Sequence, residues 1–201
     1  MARPRTVSDE EMLSAARAVF LEHGGGASTK AIAERLGVSQ AALFKRFGTK
    51  KDLMIAALAP PAVPPFVPIL EGGPDPDRPM DEQLGELARV MASFFTEMVP
   101  CVMVLNTSGM DPRAILEAHD VPPPVRAQRA VAAWVRQAID LGLARDCDPD
   151  AVAFAVLGVL HLRAFFSTLT RQPPTEAELT AHVERAIDVL WRGIAPQETD
   201  R

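Results

Sequence analysis

The sequence predicts an all-α protein: a small N-terminal helical domain joined to a larger helical one. Three observations predict it. Ala, Leu and Arg abound, Tyr is absent and aromatics make up 5% of the chain, so the β-branched and aromatic runs that strands favour are missing. Capping residues recur at the heads of apolar stripes with helical period. Eight of the 18 prolines crowd into residues 59–79 and divide the chain.

Taken in order, Ser8 and Glu11 form a capping box, after which Met12, Ala16, Val19 and Phe20 share one stripe that stops at Gly24-Gly25-Gly26. Ser28 caps a second helix bearing Ile32, Ala33 and Leu36, which Gly37 ends by supplying a positive φ. Ser39 caps a third with Leu43 and Phe47 inward, and Thr49 with Asp52 caps a fourth through Leu53 and Ala57. Residues 59–79, with Gly72-Gly73 among the prolines, read as a linker or irregular crossover between domains at 1–58 and 80–201.

Beyond it, Leu84, Leu87, Ala88, Met91, Phe94, Phe95, Met98 and Val102 trace a long amphipathic helix, with Glu86, Arg89, Ser93 and Glu97 on its polar side. Asp111-Pro112 and Asp148-Pro149 each pair an N-cap with proline at the first helical position. Between them a helix is predicted from about Pro124 to Leu143, through Val131, Trp134, Val135 and Ile139. The helix after Pro149 is apolar nearly all round. A last one, capped by Thr175 with Glu178, presents Leu179, Val183, Ala186, Ile187 and Leu190. These two carry more apolar surface than one subunit covers, so a homodimer is expected through Val159, Leu162, Phe166, Leu179, Val183, Ile187 and Leu190.

Charge is distributed unevenly. The net charge is −5, yet residues 1–58 carry nine basic and six acidic side chains, +3, which leaves −8 for the remainder. All four lysines, Lys30, Lys45, Lys50 and Lys51, lie within 22 positions. A cationic module on an acidic body points to a polyanion partner.

Cys101 and Cys147 have no CxxC spacing, there is no signal-type leader, and the longest apolar stretch, 151–160, is too short to span a bilayer. A cytoplasmic protein with no membrane partner, cofactor or metal is expected. Asp146, Asp148 and Asp150 imitate the opening of a calcium loop, but Ala151 stands where its glycine belongs and Leu157 where its glutamate belongs, so capping accounts for them better. Cys101 and His161 lack the base and orienting partner of a catalytic set, so no enzyme is expected.

The segment from Ser28 to Phe47, two short helices joined by Gly37-Val38-Ser39, matches the helix-turn-helix in length and in its buried positions. That motif sends its second helix into the major groove N-terminus first. Gln40, Ala41, Ala42, Lys45 and Arg46 would then face DNA while Leu43 and Phe47 hold the core. Gln can bond adenine through N6 and N7, Lys and Arg reach guanine or phosphate, and Ala meets a thymine methyl. Arg3 and Arg5 form an N-terminal arm that reaches backbone or minor groove, or else a disordered tail.

The stretch AIAERLGVSQAALFKRFGTKKDLM, 31–54, resembles the N-terminal signature of tetracycline-repressor-like (TetR) family transcriptional regulators. Ile32-Ala33, Leu36 to Ser39, Leu43-Phe44, Phe47 and Lys50 to Leu53 carry the resemblance, which covers roughly residues 9–58. It implies that Ser28, Thr29 and Lys30 touch phosphates or a base, that Gln40 to Ala42 read bases, and that Lys50 meets phosphate at a helix N-terminus. Phe44 stands where the family usually has Tyr, so that hydroxyl is lost, and Arg46 stands where it often has His.

The resemblance also implies a repressor on a near-palindromic operator of double-stranded DNA, released by a small, mainly apolar effector. Met91, Phe94, Phe95, Met98, Met103, Met110, Trp134, Phe154, His161 and Phe165 are candidates to line that effector's pocket, and each is equally open to ordinary core packing. The competing reading from a different class is a helical protein-interaction module that binds no DNA.

Overall fold

The computed structural model describes residues 7–194, so the Arg3 and Arg5 arm lies outside the described residues. These fall into two compact units, one of 7–60 with 100–118 and the other of 61–99 with 119–194. Among the described residues the regular structure is helical, with ten α-helices and one 3₁₀ turn.

The first unit is organised by α1 (Asp9–His23), which packs on α2 (Thr29–Leu36) and α4 (Lys50–Leu58), with α3 (Gln40–Phe47) between those two in sequence and in contact with both. Caps set these helices as the local rules require. Ser8 Oγ accepts from the Glu11 N–H at 3.1 Å while the Glu11 carboxylate accepts from the Ser8 N–H at 2.8 Å. Phe20, Ile32, Leu43 and Leu58 are each fully buried in the shared core, each burial contributing roughly 1.5–3 kcal/mol. The 3₁₀ turn Gly24–Gly26 leaves α1 through Gly24 at φ 59°.

In the second unit the proline-rich stretch holds a short helix, α5 (Val67–Glu71), because Phe66, Val67 and Leu70 are drawn into the core. The loop behind it is held by Gln83, a buried polar residue. Gln83 Oε1 accepts from the Asp75 N–H at 2.8 Å, and its Nε2 donates to the carbonyls of Asp75 at 2.8 Å and Arg78 at 3.1 Å. A loop that prolines bar from helix thereby has three of its backbone groups satisfied by one side chain.

The long helix α6 (Met80–Thr107) runs through Pro100, whose missing N–H leaves the Thr96 carbonyl without its helical donor. Residues 80–99 lie in the second unit and the rest in the first. The helices α7 (Pro112–Glu117), α8 (Pro123–Asp140), α9 (Pro149–Thr170) and α10 (Glu176–Ile194) follow, with α8 and α10 packed on α9. The structure ends α8 at Asp140, before Leu143, and Gly142 in the turn that follows takes φ 71°. By length and apolarity alone α6 and α9 are each long enough to cross a membrane. In this fold Leu84, Leu87 and Met91 of α6 and Val152, Val156 and Leu160 of α9 line the unit's core instead.

Asp148 caps α9, its Oδ1 accepting from the N–H groups of Asp150 and Ala151. That is the capping reading of the Asp146-Asp148-Asp150 triplet.

Candidate nucleic-acid interface

The turn between α2 and α3 exists because Gly37 adopts the left-handed conformation, φ 67° and ψ 29°, which returns its N–H to the carbonyls of Ala33 and Glu34. The Val38 N–H then bonds the Ala33 carbonyl at 3.0 Å, and Ser39 Oγ accepts from the Ala42 N–H at 3.2 Å to start α3. Leu43 anchors α3 in the core and Phe47 is half-buried. Gln40, Ala41, Phe44, Lys45 and Arg46 lie on the exposed side, and Ala42 is half-buried. Helix α3 is therefore held from one face and bare on the other.

The residues singled out in the sequence differ in what they meet. Ser28 Oγ accepts from the Lys30 N–H at 3.2 Å and is the cap of α2. Lys30 Nζ lies 3.6 Å from Glu34, a fully solvated pair. Gln40 Nε2 donates to Thr29 Oγ1 at 2.9 Å, tying the head of α3 to the head of α2. Phe44 is 39% exposed, an uncovered ring beside Lys45, which forms no ion pair among the described residues.

Arg46 is turned toward α1. Its Nη1 donates to the Val7 carbonyl at 2.7 Å and to Asp9 Oδ1 at 2.9 Å. Lys50, first residue of α4, donates from Nζ to the Gly25 carbonyl at 2.8 Å. That carbonyl is positioned by a close approach: a Cβ on Gly25 would lie 2.8 Å from Ser108 Oγ. The sequence reading missed these tertiary ties because their partners lie 25 and 37 or more positions away.

Helix α4 begins with a full capping box. Thr49 Oγ1 and the Thr49 N–H both donate to Asp52 Oδ2, at 2.7 and 2.9 Å, and hold its carboxyl below the ordinary carboxylate value.

In the second unit Met91 and Trp134 are fully buried core residues and Met98 is nearly so. Phe94 and Phe95 are partly buried and stack with Phe66 and His161: centroids lie 5.5 Å apart for Phe66–Phe94 and for Phe94–Phe95, and 5.4 Å apart for Phe95–His161. Partial burial lowers the His161 pKa, favouring neutral imidazole. Phe165 is half-buried. Phe154 faces outward, 67% exposed, and lines no interior space. Met103 and Met110 belong to the first unit, not to the one holding the other eight. The open cleft of about 460 Å³ between α6 and α10 has an acidic lining, including Asp81, Glu82, Glu86, Glu184 and Asp188 around Trp191.

Of the expected interface set, Val183 and Ile187 are buried in this unit's own core, because α10 turns its apolar face inward. Val159, Leu179 and Leu190 pack half-buried against that core, while Leu162 and Phe166 are outward. Phe154 and Leu169 of α9, which the sequence did not mark as interface, share that outward face.

Residues 12–57 match the sequence model of "Bacterial regulatory proteins, tetR family". No curated protein sequence matches the chain. Among solved structures, a TetR-family transcriptional regulator from Mesorhizobium loti MAFF303099 superposes with a TM-score of 0.67 at 20% identity over 93% of this chain and 96% of that one. The TetR-family regulator PfmR from Thermus thermophilus gives 0.65 at 24% identity, over 90% and 97%. One from Pseudomonas syringae pv. tomato DC3000 gives 0.64 at 21%, over 95% and 100%. The chain is similar to these along nearly its whole length, and the likeness is one of fold.

Proposed function

We propose that this chain, whose residues 12–57 match the tetR family of bacterial regulatory proteins, is a homodimeric transcriptional repressor. It grips a near-palindromic operator through two copies of α3 set about one DNA turn, roughly 34 Å, apart. The observation that carries this reading is the outer face of α3, where Gln40, Ala41, Phe44 and Lys45 are bare beside an α4 N-terminus headed by Lys50. Helix N-termini attract phosphate through their free N–H groups and dipole. Lys50 keeps two donor hydrogens after its bond to Gly25, so it acts as both turn clasp and phosphate anchor. Lys30 on α2 and Lys45 on α3 add charge, and Gln40 supplies base reading.

Release is assigned to the second unit, where a small and mainly apolar effector packs near Phe94, Phe95 and His161. Such an effector weakens DNA binding only if it binds the two states unequally, typically by about 1–3 kcal/mol. The experiment is genomic-fragment capture by the full-length protein, repeated with candidate effectors and followed by gel shift on recovered duplexes. Recovery of a few fragments sharing an inverted repeat is expected, and indiscriminate recovery of all fragments removes the reading.

A further inference from the structure

The heads of α2 and α3 carry a contact that bears on which base is read. Gln40 is exposed and Thr29, first residue of α2, is half-buried. Gln40 Nε2 donates to Thr29 Oγ1 at 2.9 Å.

A glutamine amide has two hydrogens on nitrogen and an acceptor oxygen. With both hydrogens free it has two ways to meet a purine in the major groove. One donor and the oxygen match N7 and the N6 amino group of adenine, whereas two donors match N7 and O6 of guanine. Thr29 occupies one of the two hydrogens, which leaves one N–H and Oε1. That pair fits adenine. Against guanine it sets Oε1 opposite O6, acceptor to acceptor.

We infer that Thr29 is a positioning residue that makes Gln40 a reader of adenine and removes its capacity to accept guanine. The inference rests on the DNA-reading proposal above and adds the base and the reason for it. Thr29 is well placed for this because Ser28, not Thr29, supplies the cap of α2. The threonine hydroxyl also keeps its own hydrogen for a phosphate oxygen, so one side chain ties base reading to backbone register.

The test is selection by the full-length protein from duplexes with about 20 randomised base pairs, enough for two half-sites one turn apart. Titration of the selected duplex and its single substitutions follows. Gln40→Ala identifies the base pair concerned, as the position whose preference disappears. There the unaltered protein is expected to prefer adenine over guanine by about tenfold or more. Thr29→Val, which keeps the shape and removes the hydroxyl, brings that ratio close to one, while Thr29→Ser keeps it. Thr29→Ala serves in place of the valine variant if the latter melts at a lower temperature.

The inference is overturned if the valine or alanine variant weakens the adenine and guanine duplexes by the same factor, or if the unaltered protein prefers guanine, which would put Oε1 on Thr29. Failure of the selection to yield any preferred sequence removes the DNA-reading proposal itself. A selected adenine that survives loss of the hydroxyl removes only the role of Thr29.

Discussion

Lys45 and Arg46 are neighbours in sequence whose charges meet different surroundings. The Lys45 ammonium is solvated and unpaired among the described residues, whereas the Arg46 guanidinium is turned toward α1, its Nη1 held by the Val7 carbonyl and its charge paired with Asp9. Exposed ion pairs contribute little, but a charged donor on a backbone carbonyl contributes about 1 kcal/mol. Lys45→Ala is therefore expected to lower the slope of log K against log salt by about 0.9, with an unchanged melting temperature. Arg46→Ala is expected to lower the melting temperature and leave the slope nearly as it was. Salt-dependent gel shifts and calorimetry of both variants check this, and a slope change in the arginine variant as large as in the lysine variant would return Arg46 to the phosphate-contacting set. At this scale the sequence marks which residues are chemically able to touch DNA. It does not mark which are already engaged, because Arg46 and Lys50 find partners that no local spacing encodes.

Helix boundaries are the most legible level. Ser8, Ser28, Ser39, Thr49, Asp111, Asp148 and Thr175 all act within four residues of themselves, so their caps can be read before any tertiary structure is known. Helix α5 is illegible for the converse reason: its prolines argue against a helix that burial of Phe66, Val67 and Leu70 then imposes. The α4 cap carries a pH consequence. Its two bonds from Thr49 favour the ionised Asp52, so the folded pKa lies below the unfolded one. The stability this adds is complete above the ordinary carboxylate value and is lost as pH falls through the depressed one. Asp52→Asn retains an acceptor oxygen but cannot titrate. Its melting temperature is expected to lie below that of the unaltered protein near pH 6 and to converge with it toward about pH 3. Thr49→Ala, which removes the cap oxygen, should cost about 1 kcal/mol at neutral pH. A constant difference between the asparagine variant and the parent across that range would show that the carboxylate charge contributes nothing to α4.

For the molecule as a whole, composition separates the two ends of the chain but not the units in which they fold. The prolines at 59–79 mark a break in helical pattern, yet residues 100–118 join the first unit, a grouping that depends on contacts far apart in sequence. The same limit explains the apolar helices. A helix that is apolar nearly all round shows that two sides are covered, without showing which side its own chain covers. In α9 the inner side takes Val152, Val156 and Leu160, which leaves Phe154, Leu162, Phe166 and Leu169 outward, each more than half exposed. That exposed stripe, with Gly158 open between them, is the surface through which the proposed homodimer would form. Leu162→Glu with Phe166→Glu is expected to give a folded monomer in sedimentation velocity, with an unchanged helical spectrum. Its operator affinity is expected to fall by on the order of 10²-fold, because each half-site must then be bound without the effective concentration its linked mate provides. Val183→Ala supplies the contrast. That residue is fully buried within its own subunit, so its truncation should cost roughly 1–3 kcal/mol of stability and leave the dimer formed at temperatures below melting. If the doubly charged variant remains a dimer, the two copies of α3 are held together by another surface, and the spacing assigned to the operator has to be derived from that surface instead.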